Sequence, residues 1–305
     1  MKPTLRTTVT RFGKQAAALL AATATAISLS SVNASAEENK PLTFDVYNAG
    51  ANSFHVNATL VIGETETLLV DTGFTKADAL RIAGKVLDAG KPLNTIFISQ
   101  ADPDFYFGAE VLKQIFPDAR VITTPAVREA IEKKMEGKVA YWGPKLGQNA
   151  PHQPVLPDAY TDKYLTIDGH KIEIRGTEGE LANRPYLWVK DSKAILGDIS
   201  VFAGLHLWTA DTQGKAKLDA WDAQLDDMKS LKPEIVIPGH MAAGSELTAK
   251  NIDYSKKYLD DFREVIGIYK NSAYVQAAME QKYPTAGLHI ALDLGSKVHT
   301  GEMAW

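Results

Sequence analysis

The chain has 305 residues, a formal net charge of −4, no cysteine, and 45% hydrophobic against 23% charged residues. That balance is globular; it excludes a disordered acidic tail, a collagen and a disulfide-stapled mini-domain, and it is far from the basic balance of a polyanion binder. Without Cys there is no thiolate catalysis, Cys-ligated zinc, iron–sulfur cluster or disulfide, so a metal would need His, carboxylate, amide or backbone oxygen.

Residues 1–36 carry Lys2, Arg6, Arg11 and Lys14 and no acid. A short apolar run over 16–22 follows, and the stretch ends on Ala34-Ser35-Ala36. Charged start, short apolar middle and small-residue exit predict a secretory signal peptide, hence a periplasmic or secreted protein. The run is too short and too rich in Ala, Thr and Ser for a stable membrane span. Setting the leader's four basic residues aside leaves 29 basic against 37 acidic, or −8, a balance that disfavours nucleic acid as a partner. Residues 37–305 fit one large α/β domain, and no linker or repeat divides them.

Thr59-Leu60-Val61-Ile62 and Glu66-Thr67-Leu68-Leu69-Val70-Asp71 flank Gly63-Glu64-Thr65 and predict a β-hairpin. Thr75 opens a predicted helix with Ala79, Ile82, Ala83, Val86 and Leu87 inward. A buried strand over 94–99 runs into a polar loop over 100–104. A helix from about Gly108 follows, with Ala109, Leu112 and Ile115 inward. Residues 120–124 read as a strand and Pro125 as the start of a helix through Ile131. Residues 135–160 hold Gly137, Gly143, Pro144, Gly147, Pro151, Pro154 and Pro157 and read as a long loop, with Tyr141 and Trp142 as candidate walls of an apolar substrate pocket. Strands follow at 164–167, 171–175, 186–189 and 194–196. A helix carries Trp221, Leu225, Met228 and Leu231, a last strand spans 234–238, and residues from about 246 form a helical C-terminal extension. Its inward stripe is Tyr258, Leu259, Phe262, Val265, Ile266 and Tyr269. Hairpins alternating with helices in both halves predict two packed sheets with helices outside, an αββα four-layer sandwich.

Four polar loops end strands: Asp71-Thr72-Gly73, Ser99-Gln100-Ala101-Asp102-Pro103-Asp104-Phe105, Leu196-Gly197-Asp198, and Pro238-Gly239-His240. Strand ends are where α/β enzymes gather ligands. Residue by residue, plainer roles are available. Asp102 and Asp104 precede a helix and suit an N-cap; Asp71 and Asp198 suit turns; His240 is a lone His.

With these four loops in this order, residues 42–245 resemble the metallo-β-lactamase fold superfamily of hydrolases. The resemblance implies the αββα sandwich, a binuclear metal site between the sheets, and a metal-bound hydroxide attacking an ester, amide, lactone or related bond. It maps the metal ligands to Asp104, Asp198 and His240 on one side, and to Gln100, Asp102 and Glu180 on the other. Here the chain departs from the family, whose loop reads His-x-His-x-Asp-His. Gln100, Asp102 and Phe105 stand at three of those histidines, and Glu180 is the stand-in for a fourth. An oxygen-rich set suits Mn²⁺, Mg²⁺ or Ca²⁺, or a single Fe²⁺ or Zn²⁺ at the retained half. The expectation is therefore one or two divalent ions (Zn, Fe or Mn), with no metal as the alternative. Asp104 or Asp102 would accept the proton from the attacking water. His206, with Trp208 and Asp211 nearby, is placed towards the pocket, Trp208 as a further wall; His170 is expected to be exposed. Two functions stay open: a hydrolase of a small-molecule substrate with an altered metal site, and a non-catalytic binding protein on the same fold.

Overall fold

Strand residues alternate between two neighbours, and that alternation builds the layers. A computed structural model describes residues 40–305; the predicted leader lies outside the described residues. The first sheet runs in the order β1 (Thr43–Asn48), β2 (Asn57–Ile62), β3 (Thr67–Val70), β4 (Leu93–Phe97), β5 (Arg120–Thr123) and β6 (Asp158–Ala159). Its first three strands are antiparallel and its last four parallel. The parallel crossovers are helical: α1 (Lys76–Ala89) between β3 and β4, α2 (Pro103–Tyr106) and α3 (Ala109–Ile115) between β4 and β5, and α4 (Pro125–Leu146) between β5 and β6. The second sheet contains β7 (Tyr164–Ile167), β8 (His170–Arg175), β9 (Tyr186–Val189) and β10 (Ala194–Leu196) as an antiparallel meander, with β12 (Ile235–Val236) parallel to β10 at its edge. A short parallel pair, β11 (Phe202–Ala203) with β13 (His240–Met241), stands apart. α5 (Lys215–Ser230), α6 (Lys250–Ile268), α7 (Ser272–Lys282) and α8 (His289–His299) complete the chain.

Leu69, Ile96 and Val121 point to α1, α3 and α4, whereas Leu68, Val70, Phe97 and Ile122 point to the second sheet. There they meet Leu187, Val189, Ala194 and Leu196, and the alternate residues Tyr186, Trp188 and Ile195 pack under the last four helices. Period-2 alternation on both sheets thus gives helix, sheet, sheet, helix, the predicted αββα sandwich. α6, α7 and α8 form part of the outer helical layer over the second sheet. Among the described residues, no helix is long and apolar enough to cross a membrane.

Several local expectations are corrected. Residues 135–146 are helix, not loop: Thr124 caps α4, Pro125 takes its first turn, and a run of good helix formers carries it past Gly137 and Gly143. Pro144 is tolerated because the helix ends within one turn. Leu87, Ile115 and Tyr269 are exposed rather than inward, because each lies at the end of its helix, where the apolar stripe turns past the sheet. His170 is buried, between Asp191 and the Lys40 carbonyl, both 3.1 Å away.

Candidate functional site: an aromatic cleft beside a polar pocket

The site begins where strands of both sheets end. Asp71, after β3, accepts from the Ser99 amide at 2.8 Å and from the Ser99 hydroxyl at 2.7 Å, tying the ends of β3 and β4 together. Gly197 turns the chain out of β10 at φ +62°, a conformation glycine adopts without strain. Gly239 admits the neighbouring turn: a Cβ there would sit 2.1 Å from the Asp198 carbonyl oxygen. These two glycines let the turns that carry Asp198 and His240 pack against each other, and both residues are buried.

His240 is held in one orientation. Its ring stacks on Phe202 at 5.1 Å and meets the edge of Phe105 at 5.4 Å. Its Nδ1 lies 2.9 Å from the Phe54 carbonyl, which can only accept, so Nδ1 carries the proton. Nε2 then faces Asp104, 3.6 Å from Oδ2. Burial lowers the His240 pKa to about 4. Burial, followed by the charge of Asp102, pushes Asp104 well above the carboxylate range. Burial raises Asp198 to about 8 and Asp71 to about 7.

The mapped metal ligands do not converge. Among the described residues, no group of three or more His, Asp or Glu side chains is arranged to hold a metal ion. Asp104 and His240 face each other as a pair. Asp198 Oδ1 accepts from the Val201 amide at 2.8 Å, and its Oδ2 is buried without a hydrogen-bond partner. Gln100 turns back on its own loop, its Oε1 accepting from the Ala101 amide at 2.6 Å. Asp102 occupies the N-cap position of α2 but makes no cap bond; its carboxylate lies 3.5 Å from Lys138 Nζ. Glu180 is exposed in a short 3₁₀ turn. Two facing donors fall short of the three protein ligands of a catalytic zinc site, so a resident metal of the family kind does not fit this donor set.

Around the Asp104–His240 pair the chain builds a cleft of about 440 Å³. Its walls are aromatic: Phe54, Phe74, Trp142, Trp208 and Trp305. Phe54 packs against Phe74 at 5.4 Å, Trp142 at 5.5 Å and Trp208 at 5.9 Å. The indoles of Trp208 and Trp305 each donate to Asp211 at 2.8 Å, which fixes two walls on one carboxylate. Tyr141 and Trp142 both line the cleft, from α4 rather than from a loop. His206 does not line it. The His206 ring is buried beside Tyr258, its Nδ1 2.9 Å from the phenol oxygen, with the His289 ring 5.3 Å away. It belongs to the packing under α6 and α8, and burial, then the charge of His289, lowers its pKa to about 4.

A second, smaller pocket of about 100 Å³ adjoins the cleft and shares Asp102 and Asp211 with it. Gln100, Asp102 and Glu180 all line it, together with Lys134, Arg184 and Lys217. The basic residues, Asp211 as an indole acceptor, and the walls Phe54, Phe74 and Trp305 escaped the sequence reading. Only Asp211 carried a signal, its position three residues after Trp208; the others are brought in by elements far apart in sequence.

An αββα sandwich with its cleft at the strand ends defines a hydrolase-type fold. The metallo-beta-lactamase superfamily profile matches residues 51–240, and the chain belongs to that superfamily. No curated protein matches it. Among solved structures, a beta-lactamase domain protein from Burkholderia ambifaria superposes with a TM-score of 0.59 at 14% identity, covering 85% of this chain and 84% of that one. A metallo-beta-lactamase family protein from Thermus thermophilus gives 0.57 at 15% identity, covering 85% and 91%. A metallo-beta-lactamase from Pontibacter korlensis gives 0.50 at 16% identity, covering 72% and 100%. At these identities the likeness is one of fold.

Proposed function

We propose that this protein binds a small, largely apolar molecule in its aromatic cleft, using the superfamily fold without the superfamily's binuclear metal chemistry. One observation carries the reading: six aromatic side chains line about 440 Å³ directly over the Asp104–His240 pair, a size and lining suited to a small-molecule ligand. The basic leader supports export, so the ligand would be met in the periplasm or outside the cell. The acidic balance of the mature chain supports a small molecule over nucleic acid.

The test uses N-phenyl-1-naphthylamine, a neutral apolar fluorophore, titrated into the purified protein. Binding is expected, and Trp208→Ala should weaken it by about tenfold, the loss of one buried aromatic contact. No binding, or binding indifferent to Trp208, would overturn the reading. A second reading, metal-dependent hydrolysis of an ester or lactone at the retained half, is favoured by the unpartnered buried Asp198 Oδ2. Elemental analysis of untagged protein separates the two. About one metal equivalent, lost in His240→Ala, would favour the hydrolase.

A further inference from the structure

The small pocket contains a cation whose needs the protein does not meet. Arg184 is 4% exposed. Among the described residues its guanidinium has no hydrogen bond or close ion pair, and Nη1 is buried without any hydrogen-bond partner; the carboxylates of Asp211 and Asp102 favour its charge only through space. The residue is nevertheless held firmly. Its amide donates to the Leu181 carbonyl at 2.7 Å, and its carbonyl accepts from Gln224 Nε2 at 2.7 Å. Gln224 is in turn fixed by the Ser200 hydroxyl. The guanidinium lies over the Trp221 ring, 5.3 Å from its centre.

The acids of the pocket, by contrast, are largely supplied. Asp102 faces Lys138 at 3.5 Å, and Asp211 accepts from two indoles. Glu180 is exposed and meets water directly. The unmet demand is therefore for an acceptor. A buried guanidinium left unpaired is costly, and a planar five-donor fork is the group best suited to an oxyanion. Lys134 and Lys217 also line the pocket and add positive charge. Gln100, Asp102 and Glu180, which occupy one of the family's metal positions in sequence, open onto this same space. Three basic side chains thus stand beside the acids Asp102, Glu180 and Asp211 where the resemblance would place a metal cation.

We propose that this pocket is an oxyanion site, in which Arg184, flanked by Lys134 and Lys217, holds a phosphate- or carboxylate-sized group. The group could arrive as a free ion or as the anionic head of a molecule lodged in the adjoining cleft. The shared chemistry is the oxyanion. The site does not depend on what the cleft itself binds.

Inorganic phosphate is titrated into the purified protein at constant ionic strength and followed by calorimetry and by the shift in Tm. Wild type is expected to bind and to gain thermal stability. Arg184→Met should weaken binding by about tenfold or more, the equivalent of one charge-assisted hydrogen bond. Without phosphate the same variant should unfold within a few degrees of wild type, because it removes a buried charge short of hydrogen bonds but also a cation that favours ionised Asp211 and Asp102. Lys217→Ala, at a partly exposed position, should fold normally and weaken phosphate by about threefold; it keeps the test decisive should Arg184→Met fail to fold. Phenyl phosphate distinguishes the sources. Affinity equal to that of inorganic phosphate indicates a free ion. Affinity higher by about tenfold, and returned to the phosphate value by Trp208→Ala, indicates a cleft ligand's head group. The proposal is overturned if phosphate neither binds nor stabilises, or if its binding ignores both Arg184 and Lys217. In that case Arg184 is served by water bridging to Asp102 and Asp211. Those outcomes leave the naphthylamine result, and with it the apolar cleft, unaffected.

Discussion

Asp71 sits at φ 64°, an uncommon conformation that Asp and Asn tolerate better than most residues. It is buried, and burial raises its carboxyl to about 7 against the hydrogen bonds from Ser99. An unfolded Asp titrates near 4. The folded protein therefore keeps a proton that the unfolded chain has released, and this residue's contribution to stability falls as pH rises from about 4 to about 7. Asp71→Asn preserves the backbone conformation and an acceptor for the Ser99 amide, and it removes the titration. In urea unfolding the variant should gain on wild type between about pH 4 and about pH 7; a constant difference across that range would refute the assignment. Asp71, Asp104, Asp198 and His240 were all legible in sequence, because each ends a strand in a recognisable loop. What each one touches was not. Arg184 left no trace at all: its burial depends on Trp221 and Gln224 of α5 and on the turn at Leu181, and no spacing pattern encodes such a meeting.

Elements are fixed by their ends as much as by their faces. At α1, Thr75 Oγ1 accepts from the Asp78 amide at 3.0 Å, and the Asp78 carboxylate accepts from the Thr75 amide at 3.1 Å, a reciprocal capping box. Asp78 also accepts from Ser53 and from Tyr47, each at 2.6 Å, so one carboxylate joins the helix start to β1 and to the turn beneath the cleft wall Phe54. Burial would raise its pKa, but the hydrogen bonds from Ser53, Tyr47 and Thr75 prevail and lower it. Thr75→Ala should cost about 1 kcal/mol. Asp78→Ala, which strands the Ser53 and Tyr47 hydroxyls and both the amide and the hydroxyl of Thr75, should cost about 3 kcal/mol, read as a lower urea midpoint with an unchanged slope. Between α6 and α7, Asp261 faces Lys257 at 2.6 Å and Lys282 at 3.0 Å and accepts from Tyr283. Burial opposes ionisation, yet these partners lower its pKa to about 2. A depressed acid stabilises above its unfolded pKa and loses that contribution as pH falls through the folded one. The destabilisation of Asp261→Asn, on the order of 1–2 kcal/mol at neutral pH, should therefore shrink as pH drops from about 4 towards 2. Strands and capped helices were legible because their signals are local. The length of α4 was not: Gly137, Gly143 and Pro144 are individually breakers, and only packing of Val127, Ile131 and Trp142 against the first sheet's helical face outweighs them.

At the scale of the molecule, the cleft is assembled from segments that never meet in sequence. Phe54 comes from the turn after β1, Trp142 from the far end of α4, Trp208 from the loop after β11, and Trp305 from beyond α8. No window of sequence contains this wall, which is why Tyr141, Trp142 and Trp208 were legible as walls while Phe54, Phe74 and Trp305 were not. The C-terminal segment puts that assembly to a test. Glu302 is anchored at Ser272, through the amide at 2.7 Å and the hydroxyl at 2.5 Å, so the three residues after it extend from a fixed point. Met303, Ala304 and Trp305 then line the cleft, with the Trp305 ring 6.1 Å from that of Trp208. Half of Trp305 is exposed, so its removal takes little from the core. Deleting 303–305 while keeping Glu302 should change unfolding free energy by less than about 1 kcal/mol. The same deletion opens one side of the cleft and frees an acceptor on Asp211. Affinity for the naphthylamine probe should therefore fall by about tenfold, with dissociation faster rather than association slower. Phosphate affinity at the Arg184 pocket should hold or fall slightly, because Asp211 loses a donor and turns its charge back on the guanidinium. Stopped-flow release of the probe from the truncated protein, at a rate equal to that of wild type, would show that these residues cover the cleft without closing it.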